Sequence, residues 1–185
     1  MHAHYAQFKN RTEAGQQLAT RLQTYTHRPD VLVLGLPRGG VPIAYEVARA
    51  LGVPWDICLV RKLGVPGHSE LAMGAIAANG VRVLNYEVLS WLNISDRTVD
   101  AVAARELKEL QRRDRLYRGD RPQPEIRDRT VILVDDGMAT GLTMQAVVAV
   151  IKPQHPARLV VAVPVARPQT CDTLKTQVDE VVCLF

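Results

Sequence analysis

The chain has 185 residues, 47% of them hydrophobic and 23% charged, which suits one α/β domain able to bury a real core. Its formal charge of +4, much of it gathered in one Arg-rich helical stretch, suits anionic small-molecule ligands and carries no strong nucleic-acid signal. No apolar run approaches the roughly 20 residues that span a bilayer, and the N-terminal stretch MHAHYAQFKNRTEAG has no apolar signal core, so the expected setting is cytoplasmic, without membrane.

In chain order, residues 5–26 carry a partial helical spacing in Phe8, Leu18, Leu22 and Tyr25, with Arg11 to Glu13 at the start. His2 and His4 sit at a chain end, where solvated side chains are expected rather than a metal pair. Val31–Leu36 is an unbroken apolar run, the pattern of a strand buried on both faces of a parallel sheet. It runs into Pro37, Arg38, Gly39 and Gly40. The spacing Gly35 to Gly40 nearly makes a P-loop, but Val41 and Pro42 stand where Lys and Ser or Thr are required, and no Gly-x-Gly-x-x-Gly is present. What remains is a glycine turn carrying one arginine at the end of a strand, the edge where open α/β sheets bind ligands. Ile43–Leu51 reads as a helix stopped by Gly52.

Trp55–Val60 reads as the next strand, ending at Arg61 and Lys62. The stretch Leu63–Gly74 that follows has glycines, a proline and no clear period, and is expected to be an irregular, flexible loop with Glu70 and Ala72 to Ala75 on its return. His68 within it is expected to be solvated. Gly74–Ala78 and Val81–Leu84 should form a hairpin about Asn79-Gly80. A short helix from Tyr86 and a cap at Asn93-Ile94-Ser95 precede a long helix, Asp96–Tyr117, with an apolar stripe of Val99, Ala103, Leu107, Leu110 and Tyr117. Its charged faces read as solvated. Residues 81–125 are thus expected as a helical insert within one domain spanning 1–185, and the long helix could form the interface of a homodimer. Residues 119–128 are the linker back to the core.

Val131–Thr143, VILVDDGMATGLT, carries the chemistry. Four apolar residues form a buried strand that stops at Asp135 and Asp136. A small-residue turn follows, Gly137, Met138, Ala139, Thr140, Gly141, Leu142 and Thr143, and leads into a helix. Backbone amides, the helix dipole and threonine hydroxyls at such a turn favour a phosphate. The two carboxylates would repel that phosphate, so their partners should be sugar hydroxyls or a hard divalent cation. The ligand inferred is a sugar phosphate. A phosphohydrolase with an Asp-x-Asp strand end is disfavoured, because Gly137 occupies the second acidic position. Beyond this, Arg158–Val165 reads as a strand, Pro168–Lys175 as a helix and Val178–Phe185 as a last strand; Cys58, Cys171 and Cys183 lack C-x-x-C spacing and are expected to be reduced core residues.

The segment Val131–Thr143 resembles the phosphoribosyl pyrophosphate (PRPP) signature of the type I phosphoribosyltransferases, departing only at Gly137, where that signature usually has an aliphatic residue or Ser. Together with LPRGGVPIA and RKLGVPG, it is most similar to a bacterial branch of phosphoribosyltransferase-like proteins, whose members usually continue past the last strand. The resemblance implies an α/β fold with a mostly parallel sheet flanked by helices and a small helical hood. It implies a transferase that uses PRPP and Mg²⁺, releases pyrophosphate and modifies a small-molecule acceptor, a nucleobase being one candidate. By the same resemblance Asp135 and Asp136 hold the ribose and, indirectly through PRPP or water, Mg²⁺. Gly137–Thr143 would bind the 5-phosphate, while Arg38, Gly39 and Gly40 form the pyrophosphate loop. Arg61, Lys62 and Glu70 belong to a flexible loop, with Arg38 and Lys62 stabilising the leaving group. The alternative is a non-catalytic PRPP or nucleotide sensor, and no stretch specifies the acceptor.

Overall fold

The central strands are β1 (Val31–Gly35) and β6 (Thr130–Val134), every residue of which is buried. They pair in parallel with Val33 opposite Ile132 and Leu34 opposite Leu133. A strand covered on both faces has no solvent side, which is why both read as continuous apolar runs. The computed structural model describes residues 8–185; His2, His4 and the first three residues of the expected first helix lie outside the described residues.

Two compact units are present. The first runs from the first described residue to Cys58 and includes Pro124–Gly141 and Gln154–Phe185. Its parallel sheet has the order β2-β1-β6-β7-β8, with β2 at Trp55–Ile57, β7 at Arg158–Val163 and β8 at Glu180–Cys183. Helix α1 (Arg11–Thr20) packs on α2 (Gly40–Leu51) through Gly15, where a Cβ would come within 2.7 Å of Glu46 Cβ. Gly52, in the left-handed region, ends α2 as expected. Leu18, Leu22, Ile43, Val47, Leu51, Ile132 and Val160 form the core of this unit. The α1 helix is shorter than its apolar spacing predicts: it stops at Thr20, and a 3₁₀ turn, Gln23–Tyr25, carries the chain on.

The second unit comprises Leu59–Gln123 and Leu142–Pro153. Its antiparallel sheet has the order β3 (Val60–Val65), β4 (His68–Ala77), β5 (Arg82–Leu84), and α3 (Tyr86–Trp91), α4 (Asp96–Arg118) and α5 (Leu142–Ile151) belong to the same unit. The expected Asn79-Gly80 hairpin is there, with Ala75 opposite Val83. The expected irregular stretch after Lys62 is not. β3 (Val60–Val65) and β4 (His68–Ala77) form a hairpin closed at Val65 and His68. Pro66 presets one turn residue and Gly67, at φ 79°, supplies the other, so two breakers make a tight turn instead of a loop. Register shifts on either side of Gly64 hide the strand alternation. The strand expected over Trp55–Val60 is correspondingly split at Cys58 and Leu59. At the end of α4, Tyr117 is exposed and Arg118 is buried, one place along from the predicted stripe.

Candidate active site

The sheet order makes a topological switch between β1 and β6: from β1 the chain turns outward to β2, and it later returns to the other side of β1 as β6. Ligands in open α/β sheets sit beyond the carboxyl ends of the strands at such a switch. Here those ends carry the Pro37–Gly40 turn and Asp135–Asp136. The two loops start in register, because the Leu36 amide donates to the Val134 carbonyl at 2.9 Å.

The glycine turn presses directly on the acidic pair. A Cβ at Gly39 would lie 2.1 Å from Asp136 Oδ2, and one at Gly40 would lie 2.5 Å from the Val134 carbonyl oxygen and 2.9 Å from Asp135 Cα. Both glycines therefore answer to space rather than to backbone angle, Gly39 to the Asp136 side chain and Gly40 to main chain; Gly39 itself has φ −63°. The peptide bond Pro37–Arg38 is cis, and the Arg38 side chain is exposed.

Asp135 and Asp136 differ in environment. The Asp136 amide donates to Asp135 Oδ1 at 2.8 Å. Burial, reinforced by the neighbouring Asp136 charge and against that amide, pushes the Asp135 carboxyl up to about 7. Asp136 is more open and takes one hydrogen bond from Arg11 Nη2 at 3.2 Å.

The turn after the pair divides its work. Met138 is buried, its amide donates to the Val165 carbonyl at 3.0 Å, and it bridges to Ala166. Its amide is thereby committed inside the fold. Ala139 and Thr140 are exposed, and the Thr170 hydroxyl donates to the Ala139 carbonyl at 2.7 Å, anchoring the loop from below. Gly141, at φ 77°, turns the chain into α5, whose first turn holds the exposed Leu142 and Thr143.

The remaining predicted residues are in the second unit. Arg61 and Lys62 are adjacent on β3 and so point to opposite faces. Arg61 forms an ion pair with Glu106 of α4. Lys62, exposed, lines a groove of about 720 Å³ with Glu70, Gly74, Tyr86, Leu142 and Gln145 among its walls. Glu70 is exposed on β4, its Oε1 3.7 Å from His68 Nδ1.

Arg11 is the site residue that sequence reasoning passed over. One signal could have found it: Asn10 caps α1 and Glu13 is in its first turn, both suited to the positive end of the helix dipole, whereas an arginine there is not. Among the described residues no group of three or more His, Cys, Asp or Glu side chains could cage a metal. Asp135 and Asp136 offer a pair of oxygen donors of the kind a hard divalent cation takes together with ligand and water oxygens.

Residues 4–184 match the family model described as a phosphoribosyl transferase domain. Two curated proteins of Mycobacterium tuberculosis, each named "Putative phosphoribosyl transferase", are 45% identical over 177 residues. The match covers 96% of this chain but 40% of theirs, so the chain spans less than half the length of those relatives. The crystal structure of TT1426 from Thermus thermophilus superposes with a TM-score of 0.84 at 44% identity, covering 96% of this chain and 83% of that one. A purine phosphoribosyltransferase from Pyrococcus horikoshii shares the fold, with a TM-score of 0.52, 20% identity and coverage of 94% and 81%.

Proposed function

The chain belongs to the phosphoribosyl transferase family, and from that premise we propose that it transfers the 5-phosphoribosyl group of PRPP to a small-molecule acceptor, such as a nucleobase, and releases pyrophosphate. The observation that carries this reading is the glycine turn Pro37–Gly40 packed without side chains against Asp135–Asp136 at the switch point of the sheet. A turn that carries the exposed Arg38, packed without side chains against a hydroxyl- or cation-binding acidic pair, fits a donor that presents diphosphate and sugar hydroxyls together.

In this reading Asp136, the more open carboxylate, binds the ribose hydroxyls and faces the cation, while Asp135 fixes the backbone between them through its bond to the Asp136 amide. The 5-phosphate is assigned to the Gly137–Thr143 segment, in which Met138 anchors the turn and the exposed Ala139, Thr140 and Thr143 face the ligand. Arg38 and the backbone of Gly39 take the pyrophosphate; Gly40, whose own amide donates to the Leu36 carbonyl at 2.9 Å, closes the turn against the acidic pair, and Lys62 adds a second positive charge to the leaving group. Mg²⁺, when bound, neutralises donor phosphates and orients the diphosphate. The chemistry needs positioning and charge stabilisation rather than a covalent intermediate, because the bond from C1 to pyrophosphate loosens toward an oxocarbenium-like centre. Residues 81–125 supply the hood that selects the acceptor, and the reaction is assigned to the cytoplasm. Among the described residues no helix is long and apolar enough to cross a membrane.

The test is titration with PRPP and Mg²⁺, then a pyrophosphate-release screen against nucleobases and other amines. Saturable binding with release in the presence of one acceptor is the expected result. Absence of PRPP binding at millimolar concentration would overturn the reading, and binding without release under any acceptor would make the chain a sensor.

A further inference from the structure

We propose that Arg11 is a donor-binding residue held in reserve: its guanidinium neutralises Asp136 in the ligand-free site and is exchanged onto a donor phosphate when Mg²⁺ and PRPP engage that carboxylate. This rests on the PRPP reading above and adds to it a residue from α1, 125 positions away in sequence.

Three observations converge on it. Arg11 occupies the first turn of α1, where its positive charge opposes the helix dipole, so local helix stability does not account for an arginine there. Its side chain nevertheless reaches the acidic pair, through a single hydrogen bond of 3.2 Å rather than a two-pronged pairing. Both side chains remain accessible, at 59% and 41%, so the ion pair is screened by water and is cheaply given up.

The place where the guanidinium is held decides what it exchanges with. Asp136 Oδ2, the atom it contacts, is the same atom that a Cβ on Gly39 would strike. Arg11 is therefore held beside the turn assigned to pyrophosphate. Once a divalent cation and sugar hydroxyls satisfy Asp136, Arg11 loses its partner next to a polyanion, and a guanidinium matches phosphate oxygens with two parallel N–H donors. The exchange keeps the acidic pair partly neutralised when empty and adds one positive charge to the donor site when full.

The experiment is calorimetric titration of the whole protein with PRPP in Mg²⁺, at two salt concentrations, for wild type, Arg11→Gln and Arg11→Lys, beside thermal melts without ligand. Arg11→Gln should weaken PRPP binding roughly tenfold or more, as expected for loss of a charge-assisted contact. It should also show a shallower salt dependence, while Arg11→Lys recovers part of the affinity and the ligand-free melts of all three stay together. Wild-type binding matched by Arg11→Gln would overturn the proposal and leave the PRPP reading standing. Failure of the wild type itself to bind PRPP would overturn both. A ligand-free melt lowered in Arg11→Gln, with affinity per folded molecule unchanged, would make Arg11 a structural counter-ion and overturn the proposal as well.

Discussion

Gly39 and Asp136 stand so close that a Cβ on the first would lie 2.1 Å from Oδ2 of the second, whereas the neighbouring Gly40 meets main chain, the Val134 carbonyl oxygen and Asp135 Cα. The difference separates function from folding. In Gly39→Ala the obstructing atom ends a side chain that can rotate away, and φ −63° suits alanine, so the protein should fold with Asp136 displaced. Donor affinity should drop at least about tenfold with little change in melting temperature, if each lost charged contact follows its usual worth. In Gly40→Ala the obstruction is backbone and cannot yield; the expected result is a loss of roughly 1–3 kcal/mol in stability, read by denaturant unfolding. Equal effects of the two substitutions would count against the geometry described for the turn.

The Asp135 carboxyl, pushed up to about 7 by burial and by the Asp136 charge, makes the ligand-free protein sensitive to pH in a defined direction. Its folded value lies above the ordinary 3.8, so the folded state holds its proton more tightly than the unfolded chain does. That contribution to stability is complete below the ordinary carboxylate range and is lost as pH rises through about 7. Asp135→Asn keeps an oxygen for the Asp136 amide and removes the titration. Its melting temperature should exceed that of wild type above neutrality, by a few degrees for each kcal/mol regained, and the two curves should converge toward acid pH. Parallel curves across that range would show that Asp135 ionises in the folded protein as it does in the unfolded chain.

How much of this was readable beforehand depended on whether the signal was local. β1 and β6 were legible because burial on both faces leaves an unbroken apolar run, and the Asp135–Asp136 turn because it follows such a run directly. The β4–β5 hairpin announced itself through Asn79-Gly80. The β3–β4 hairpin did not: Gly64, Pro66 and Gly67 are the composition of a loop, and their pairing as a bulge and a tight turn is decided by the partner strand. Arg11 was hidden by distance, since its partner is at the end of β6. Arg118 was hidden because a charged residue at the end of a polar helix reads as solvated until the carbonyls that cover it are known.

Arg118 offers a stability test in the second unit. Its side chain is 1% exposed, Nη1 donates to Asp114 Oδ1 at 3.2 Å, and its guanidinium also donates to the carbonyls of Arg121 and Pro122. Asp114→Ala would take a paired carboxylate away from that buried guanidinium, a change that typically costs about 3 kcal/mol or more. Arg118→Met should be milder, since it removes the buried charge, keeps much of the volume and leaves Asp114 its bond from Gln123 Nε2 at 3.0 Å. Glu109→Ala, which breaks exposed pairs with Arg112 and Arg113, should not shift the melting curve measurably. Denaturant midpoints that fail to rank Asp114→Ala as the most damaging would argue that the guanidinium relaxes to solvent.

Arg61 and Lys62 look alike in sequence, and both were expected in one flexible loop, but strand alternation gives them different partners. Arg61 is tied to Glu106, whose side chain is only 19% exposed, so Arg61→Ala removes the partner of a largely covered carboxylate. The expected cost is about 1 kcal/mol of stability, a drop of roughly 2–4 °C in melting temperature for a chain of this size. Lys62, exposed and lining the groove with Glu70 and Gln145, has no such structural debt. Lys62→Ala should melt like wild type, and pyrophosphate release should slow by about tenfold or more if its charge supports the leaving group. Rates and melts measured on both variants separate the roles. A Lys62→Ala protein that releases pyrophosphate at the wild-type rate would remove Lys62 from the reaction, and a rate loss in Arg61→Ala without a stability loss would reverse the two assignments.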